Sequence, residues 1–156
     1  MPNLYVFRHG EAATGSPDFD RPLSYKGIAD IEYISKKLAK WPMKKSMLVS
    51  SPSLRTKMTT EILLQNLRMF NVSFMLEENG YLASDEIWFK FLEKLSDEYE
   101  SCIIVGHNPG VANLVKRLTG SDISMPPGTG VMIDFEIKAW CEVFDGTGNV
   151  FRVCTP

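Results

Sequence analysis

Short apolar runs alternate along this chain with longer stretches in which apolar residues recur at helical spacing. Each run is bounded by polar or turn-forming residues, as is typical of buried strands. The runs predict strands at residues 4–7, 47–49, 72–76 and 102–105. Strands that alternate with helices favour right-handed crossovers and a mostly parallel sheet covered on both faces.

The longer stretches predict four amphipathic helices that each follow a good N-terminal signal. The predicted starts are Ser24, the turn at 50–53, Ser84, and Asn108 with Pro109 in the first turn. The apolar face of the first helix extends to Trp41, and Pro42 should end that helix. Gly120 fits the position after the fourth. The second helix is expected to bury Leu54, Met58, Ile62 and Leu63.

The hydrophobic period changes in the last third of the chain. Val131, Ile133, Phe135 and Ile137 alternate with Met132, Asp134 and Glu136, which predicts a strand. Asp145-Gly146 indicates a hairpin turn between two later strands. Together these patterns predict a three-layer α/β/α sandwich, with a mostly parallel central sheet and antiparallel C-terminal strands.

Length and composition narrow the class of protein. The 156 residues are 44% hydrophobic and 23% charged, which predicts one globular domain spanning residues 1–156. A net charge of −2 argues against a nucleic-acid partner. A lysine-rich stretch near residues 36–45 suits a solvated helix end. No apolar run reaches the length of a membrane span, and the odd number of dispersed cysteines favours a cytoplasmic protein.

The two histidines both lie directly after predicted strands. His9 follows Arg8 at the end of the first strand, and His107 follows the strand at 102–105. Arg55 comes a short turn after another strand. Parallel sheets bind ligands at the carboxyl ends of their strands, so these side chains are expected to converge on one crevice.

Their chemistry suits transfer of a phosphoryl group. The guanidinium groups of Arg8 and Arg55 carry a permanent charge and a fork of donors that fits phosphate oxygens. A neutral His9 imidazole is a competent nucleophile near pH 7, and the neighbouring positive charge favours its neutral form. His107, if protonated, can donate to an oxygen as charge spreads over the transferring group.

Three segments resemble the signature blocks of the histidine phosphatase superfamily, whose members include the phosphoglycerate mutases. They are Arg8-His9-Gly10-Glu11, Ser51-Pro52-x-x-Arg55-x-x-x-Thr59 and Gly106-His107-Asn108-Pro109-Gly110. The small size, the 21–27 segment and the His-Asn-Pro-Gly sequence resemble the SixA-like phosphohistidine phosphatases. The resemblance implies that His9 accepts the phosphoryl group, that Arg8 and Arg55 bind it, and that His107 stabilises the transition state. It implies no cofactor and no metal.

Other residues in these blocks have less defined roles. Arg21 either faces the substrate as a binding residue or is an exposed loop arginine. Gly10 and Asn108 are expected to shape the backbone rather than perform chemistry. Glu11 either orients its neighbours or caps the loop.

The sequence leaves the general acid and the substrate open. Glu77, Glu78 and Asp85 are available between the two histidine blocks, but none lies in a recognisable motif. An alkoxide leaving group needs a proton donor, whereas the imidazole released from phosphohistidine is only weakly basic, since its conjugate acid has a pKa of ~6.5. This favours phosphohistidine proteins over small phosphorylated metabolites as substrates. A small-molecule phosphomonoesterase and a non-catalytic module that binds phosphate or a phosphoprotein remain the alternatives.

Overall fold

The computed structural model describes residues 1–40, 44–67 and 71–156, and its strands form one twisted sheet. The strands are β1 (Asn3–Arg8), β2 (Ser46–Ser50), β3 (Val72–Leu76), β4 (Ser101–Gly106), β5 (Gly130–Phe135) and β6 (Gly148–Cys154). Their order across the sheet is β3-β2-β4-β1-β5-β6. The first four are parallel, and β5 and β6 are antiparallel to their neighbours. The predicted α/β class and the switch to antiparallel strands are confirmed.

Four helices cover the sheet. They are α1 (Tyr25–Leu38), α2 (Leu54–Leu67), α3 (Asp85–Glu93) and α4 (Gly110–Thr119). The Ser24 hydroxyl caps α1 by accepting from the amide of Gly27, as the sequence predicts. Gly120 ends α4 with φ of +74°, a conformation that glycine adopts at no steric cost. Trp41 and Pro42, the predicted end of α1, lie outside the described residues.

Alternating side chains of the central strands build the core on both faces of the sheet. In β1, Leu4 and Val6 pack with α3 and α4, whereas Tyr5 and Phe7 pack with α1 and α2. All six residues of β4 are buried, which explains its continuous apolar sequence. The core therefore flanks the central strands on both faces of the sheet.

Among the described residues, none of the helices has both the length and the apolar character that a membrane span needs.

The buried face of α2 differs from the prediction. Leu54 is exposed, and Met58 and Ile62 are only partly buried, so Leu63 alone of the four predicted residues is fully buried. Polar residues take the remaining positions, namely Arg55, Thr56, Thr59 and Thr60. The buried face of α2 is therefore largely polar, whereas a helix that only packs on the core would bury an apolar face.

Two local predictions differ from the structure, the first entirely and the second in part. Asn108 does not cap α4: Pro109 occupies the cap position, and the Asn108 amide donates to the carbonyl of Met125 at 2.9 Å. Asp145-Gly146 does form a turn between the antiparallel strands β5 and β6, where the Thr147 amide donates to the Phe144 carbonyl at 3.2 Å, but it does not join them directly. The connection between β5 and β6 is longer and contains a 3-10 turn at Trp140–Glu142, with Gly146 just before β6.

Candidate active site

His9 lies immediately beyond β1, at the carboxyl end of the parallel strands. Its amide donates to the carbonyl of Gly106 at 3.1 Å, which continues the pairing of β1 with β4 by one residue. The side chain is 8% exposed. Its Nδ1 lies 2.7 Å from the carbonyl oxygen of Gly10, and its Nε2 lies 3.3 Å from Nε of Arg55. Each ring nitrogen of His9 therefore has a hydrogen-bond partner, and the two partners fix the orientation of the ring.

These two partners determine the tautomer of His9. Burial lowers the pKa of His9 to about 4, against the Gly10 bond that raises it, and the nearby arginines lower it further. The imidazole is thus neutral near pH 7. A carbonyl oxygen can only accept, so Nδ1 carries the proton, and the lone pair is on Nε2. Because it carries the lone pair, Nε2 is the ring nitrogen that can act as a nucleophile.

Arg55 connects the two histidines from the first turn of α2, and its side chain is 5% exposed. In addition to His9, its Nη2 lies 3.3 Å from Nδ1 of His107. The same guanidinium donates to the main-chain carbonyl of Asp18 at 2.6 Å and to the Asp18 carboxylate at 3.1 Å. Thr59 holds the next turn by donating to the Arg55 carbonyl at 2.8 Å.

His107 follows β4 as His9 follows β1, and the two ring centroids are 5.3 Å apart. The His107 side chain is 2% exposed, and its Nε2 is 2.7 Å from the hydroxyl of Ser51. Burial is the main cause that lowers its pKa to about 3, with His9 and Arg55 acting in the same direction. His107 is therefore neutral near pH 7, contrary to the protonated form considered from sequence.

Arg8 adds a second guanidinium beside His9. Its Nη1 donates to the carbonyl of Met125 at 3.1 Å, and burial together with the charge of Arg55 lowers its pKa. Its Nε is buried and has no protein acceptor among the described residues. A buried donor without a partner is costly, and an anion in the pocket would satisfy it.

Asp18 and Tyr81 complete the outer side of the site. The Tyr81 hydroxyl donates to the Asp18 carboxylate, and this bond, followed by Arg55, lowers the pKa of Asp18 to about 2. The Tyr81 ring also packs edge-on against His107, with centroids 5.6 Å apart. Arg21 donates to the carbonyl of Ala13 at 2.8 Å and reaches Asp18 at 3.3 Å. Arg21 is thus tied into the loop rather than free in solvent.

These side chains surround an open cavity of about 280 Å³. Its lining comprises Arg8, His9, Glu11, Ala12, Arg21, Arg55, Leu82, His107, Asn108 and Pro127. The predicted residues Arg8, His9, Arg21, Arg55 and His107 therefore meet at one place. Among the described residues, no group of three His, Cys, Asp or Glu side chains is arranged to hold a metal ion.

The three acids considered from sequence do not line this cavity. The Glu77 carboxylate accepts from the amide of Asn79 at 3.2 Å, and Asp85 pairs with Arg117 at 3.3 Å. Asp18, the carboxylate that contacts Arg55, is not among the site residues that the sequence predicts, because it lies in a loop rich in Gly, Ser, Asp and Pro. Its spacing of three residues from Arg21 is the signal that points to it.

Glu11 and Gly10 shape the approach to the pocket. The Glu11 carboxylate accepts from the Ser24 hydroxyl at 2.6 Å, and its carbonyl accepts from the Ser24 amide at 2.9 Å. A side chain at Gly27 would lie 2.2 Å from the Glu11 carbonyl, so only glycine allows α1 to approach this closely. The Gly10 amide donates to Thr59 at 3.1 Å. Glu11 thus ties the loop to α1, in line with its predicted capping role.

Comparison with known proteins identifies the family. The model of the histidine phosphatase superfamily (branch 1) matches residues 4–79, which include His9 and Arg55. An uncharacterised protein of Picosynechococcus sp. is 32% identical over 120 residues, which are 74% of this chain and 72% of that protein.

Two solved structures share the fold at low identity. A SixA protein from Nakamurella multipartitia has a TM-score of 0.88 at 17% identity, covering 99% of this chain and 96% of the other. The protein histidine phosphatase SixA complexed with tungstate has a TM-score of 0.79 at 21% identity, covering 98% and 96%. The fold is therefore that of the SixA structures, and the chain belongs to the histidine phosphatase superfamily.

Proposed function

We propose that this protein is a metal-independent phosphatase that hydrolyses phosphohistidine in proteins through a covalent intermediate on His9. The observation that carries the proposal is the orientation of His9, whose Nδ1 is occupied by the Gly10 carbonyl at 2.7 Å while Nε2 carries the lone pair. Nε2 attacks the phosphorus, the bond to the leaving group breaks, and water then hydrolyses the phosphorylated His9.

The charge for this reaction comes from guanidinium groups. Arg8 and Arg55 both line the pocket, and Arg8 Nε is a buried donor without a protein acceptor in the described chain. Charge-assisted donors of this kind stabilise the oxygens of a transferring phosphoryl group. Together with the scarcity of carboxylate ligands at the site, this supports activity without a divalent ion.

The carboxylates near the pocket support phosphohistidine as the substrate. Asp18 has a pKa lowered to about 2, so it is ionised and has no proton to donate near pH 7. The Glu11 carboxylate accepts a hydrogen bond from the Ser24 hydroxyl. A phosphomonoester releases an alkoxide and requires a proton donor, whereas phosphohistidine releases an imidazole whose conjugate acid has a pKa of ~6.5. The site therefore fits the second leaving group better.

A substrate panel tests the proposal. A phosphohistidine-containing phosphotransfer protein and a set of small phosphomonoesters are incubated with the enzyme in the presence of EDTA. We expect kcat/KM to be highest for the protein substrate and unchanged by the chelator, with competitive inhibition by tungstate. Preference for a phosphomonoester would support the small-molecule alternative, and binding without turnover of any substrate would support the phosphoprotein-binding module.

A further inference from the structure

Leu82 has a backbone conformation that is unusual for its residue type. It lies between the 3-10 turn Glu78–Gly80 and α3, and its φ is +49°. Among the residues that the structure describes, it is the one non-glycine residue with a positive φ. This left-handed region is disfavoured for a residue with a Cβ, and strain of this kind concentrates at functional sites.

Both neighbours of Leu82 are fixed by contacts. On one side, the Tyr81 ring packs edge-on against Phe19, with centroids 4.9 Å apart. On the other side, Ala83 is buried, and a Cβ at Gly110 would lie 1.9 Å from the Ala83 carbonyl oxygen, so α4 packs directly on this backbone. The surrounding structure therefore holds Leu82 in the strained conformation.

The side chain of Leu82 lies at the open end of the catalytic cavity. The lining residues other than the two histidines with Arg8 and Arg55 form the mouth, defined as Glu11, Ala12, Arg21, Leu82, Asn108 and Pro127. Leu82 is 58% exposed, whereas His9 is buried. In an in-line displacement the leaving group lies opposite the attacking atom. Because Nε2 of His9 attacks from the buried end, the leaving group lies towards the mouth.

The polar side chains of the mouth already have partners within the protein. The Glu11 carboxylate accepts from a serine hydroxyl, and Arg21 donates to two groups of its own loop. The Asn108 amide donates to a main-chain carbonyl, and its Oδ1 is buried. Leu82 is the large exposed hydrophobic residue of the mouth. The mouth therefore offers the leaving group an apolar contact.

We propose that Leu82 is a specificity-determining residue that packs against the leaving group and favours a flat ring with apolar faces. The inference deepens the proposed function, on which it rests in identifying that ring as the imidazole of phosphohistidine. A ring that covers the Leu82 side chain removes apolar surface of both groups from water, which stabilises the bound substrate. A polyhydroxylated leaving group would lose water from its hydroxyls at the same place without a compensating bond.

Two phosphonates, which contain no hydrolysable ester or P–N bond, isolate the contact to the ring. Phenylphosphonate and methylphosphonate are titrated calorimetrically into wild type and L82N. Asparagine is close to leucine in size and tolerates the left-handed conformation, so the variant loses the apolar group without added strain. We expect the Kd of phenylphosphonate to rise about fivefold, as for partial burial of a leucine side chain, and that of methylphosphonate to stay unchanged. An equal change for both ligands, or no change, overturns the proposal.

Two further variants serve as controls for this titration. L82M keeps an apolar side chain at the mouth and should bind phenylphosphonate as wild type does. F144N removes an apolar side chain that is 67% exposed but does not line the cavity, so both Kd values should stay unchanged. Weakening of phenylphosphonate binding in F144N to the extent seen in L82N would overturn the proposal.

Turnover then separates the ring from the protein surface around it. Phosphoimidazole and phosphoramidate both contain a P–N bond, but only the first carries a ring. L82N should lower kcat/KM about fivefold, through KM, for phosphoimidazole and for a phosphohistidine protein, and should leave phosphoramidate unchanged. A loss confined to the protein would mean that Leu82 contacts the partner's surface, which overturns the proposal. If the phosphonates behave as expected but no P–N substrate is hydrolysed, only the proposed function fails.

Discussion

The floor and the rim of the pocket are built in different ways. The floor, defined as His9, Ser51, Arg55 and His107, is between 0% and 8% exposed. The rim, defined as Asp18, Phe19, Arg21, Tyr81 and Leu82, is much more accessible, with Phe19 at 41% and Leu82 at 58%. The backbone of strands and of α2 positions the floor, whereas side-chain contacts between a loop and a 3-10 turn position the rim.

This difference separates chemistry from recognition. Charges on the floor are weakly screened because their side chains are buried, so each donor has a large effect on an anion. Ion pairs on the rim are screened, and exposed pairs contribute little free energy. We therefore expect substitutions in the floor to change turnover or anion affinity strongly, and substitutions in the rim to adjust binding.

His9→Ala should produce the largest effect, the complete loss of covalent turnover. Arg8, Arg55 and His107 still supply donors, so tungstate should still bind. Wild type and variant are incubated with a ³²P-labelled phosphohistidine protein, quenched at alkaline pH, and analysed for acid-labile label on this chain. Label and wild-type turnover in the variant would show that His9 is not the nucleophile.

Arg55→Ala should have the next largest effect, because it removes the donor that reaches both histidines. Loss of a preorganised charged donor costs on the order of 2–4 kcal/mol. Tungstate affinity and kcat/KM should therefore fall by about 30- to 1000-fold. Arg21→Ala is the matched control from the rim, where the side chain is 31% exposed and bonded to the Ala13 carbonyl. Equal losses in the two variants would contradict the distinction between floor and rim.

The sequence predicts the floor better than the rim, and the reason is physical. The floor residues follow strands, and a buried parallel strand has a clear apolar signature that locates its carboxyl end. Position after a strand therefore identifies His9 and His107. Ser51 belongs to a motif that the sequence analysis quotes, but its role depends on which hydrogen-bond partner its hydroxyl faces, and no sequence pattern encodes that.

The rim depends on contacts between segments distant in sequence. Asp18 meets Tyr81 across 63 positions and Arg55 across 37. No spacing pattern in the sequence indicates that these residues are in contact. The same limitation explains Asn108, which resembles a helix cap locally but bonds to Met125 in the structure. Burial of Thr59 in α2 likewise reflects the site that the helix adjoins, because its hydroxyl accepts from the Gly10 amide and donates to the Arg55 carbonyl.

The floor and the rim should change the free energy of unfolding in different pH ranges, because their titratable groups have different pKa values. The pKa values of His9 and His107 are lowered to about 4 and about 3, whereas an unfolded histidine titrates near 6.5. Below pH 6.5 the unfolded chain binds protons that the folded protein does not. The free energy of unfolding should therefore fall as pH falls from about 6.5 towards 4, by on the order of 2 kcal/mol per histidine between pH 7.5 and pH 5.

Urea unfolding of wild type and His9→Ala at pH 7.5 and pH 5 measures this effect. The variant lacks one of the two histidines, so about half of the pH-dependent loss should disappear. Asp18 does not interfere, because its lowered pKa of about 2 places its contribution in a more acidic window. An identical pH dependence in the two proteins would mean that His9 binds protons as readily in the folded protein as in the unfolded chain.

Asp18→Asn should have the smallest effect, and its sign is informative. The Asp18 carboxylate contacts Arg55 at 3.1 Å and therefore competes with a bound anion for the same guanidinium. The main-chain carbonyl of Asp18, at 2.6 Å from Arg55 Nη1, remains in the variant and keeps the arginine in place. We expect tungstate to bind about threefold more tightly, a change within the range of an exposed ion pair.

Asp20→Asn provides the matched control, because it removes the same charge from the same 3-10 turn at a side chain that does not contact Arg55. A general increase in positive potential would tighten tungstate binding equally in both variants, and high salt would abolish both gains. Competition for Arg55 instead requires a gain in Asp18→Asn that exceeds the gain in Asp20→Asn. If Asp18→Asn weakens binding, the carboxylate positions Arg55 rather than competing with the anion, and the rim then contributes to the geometry of the floor.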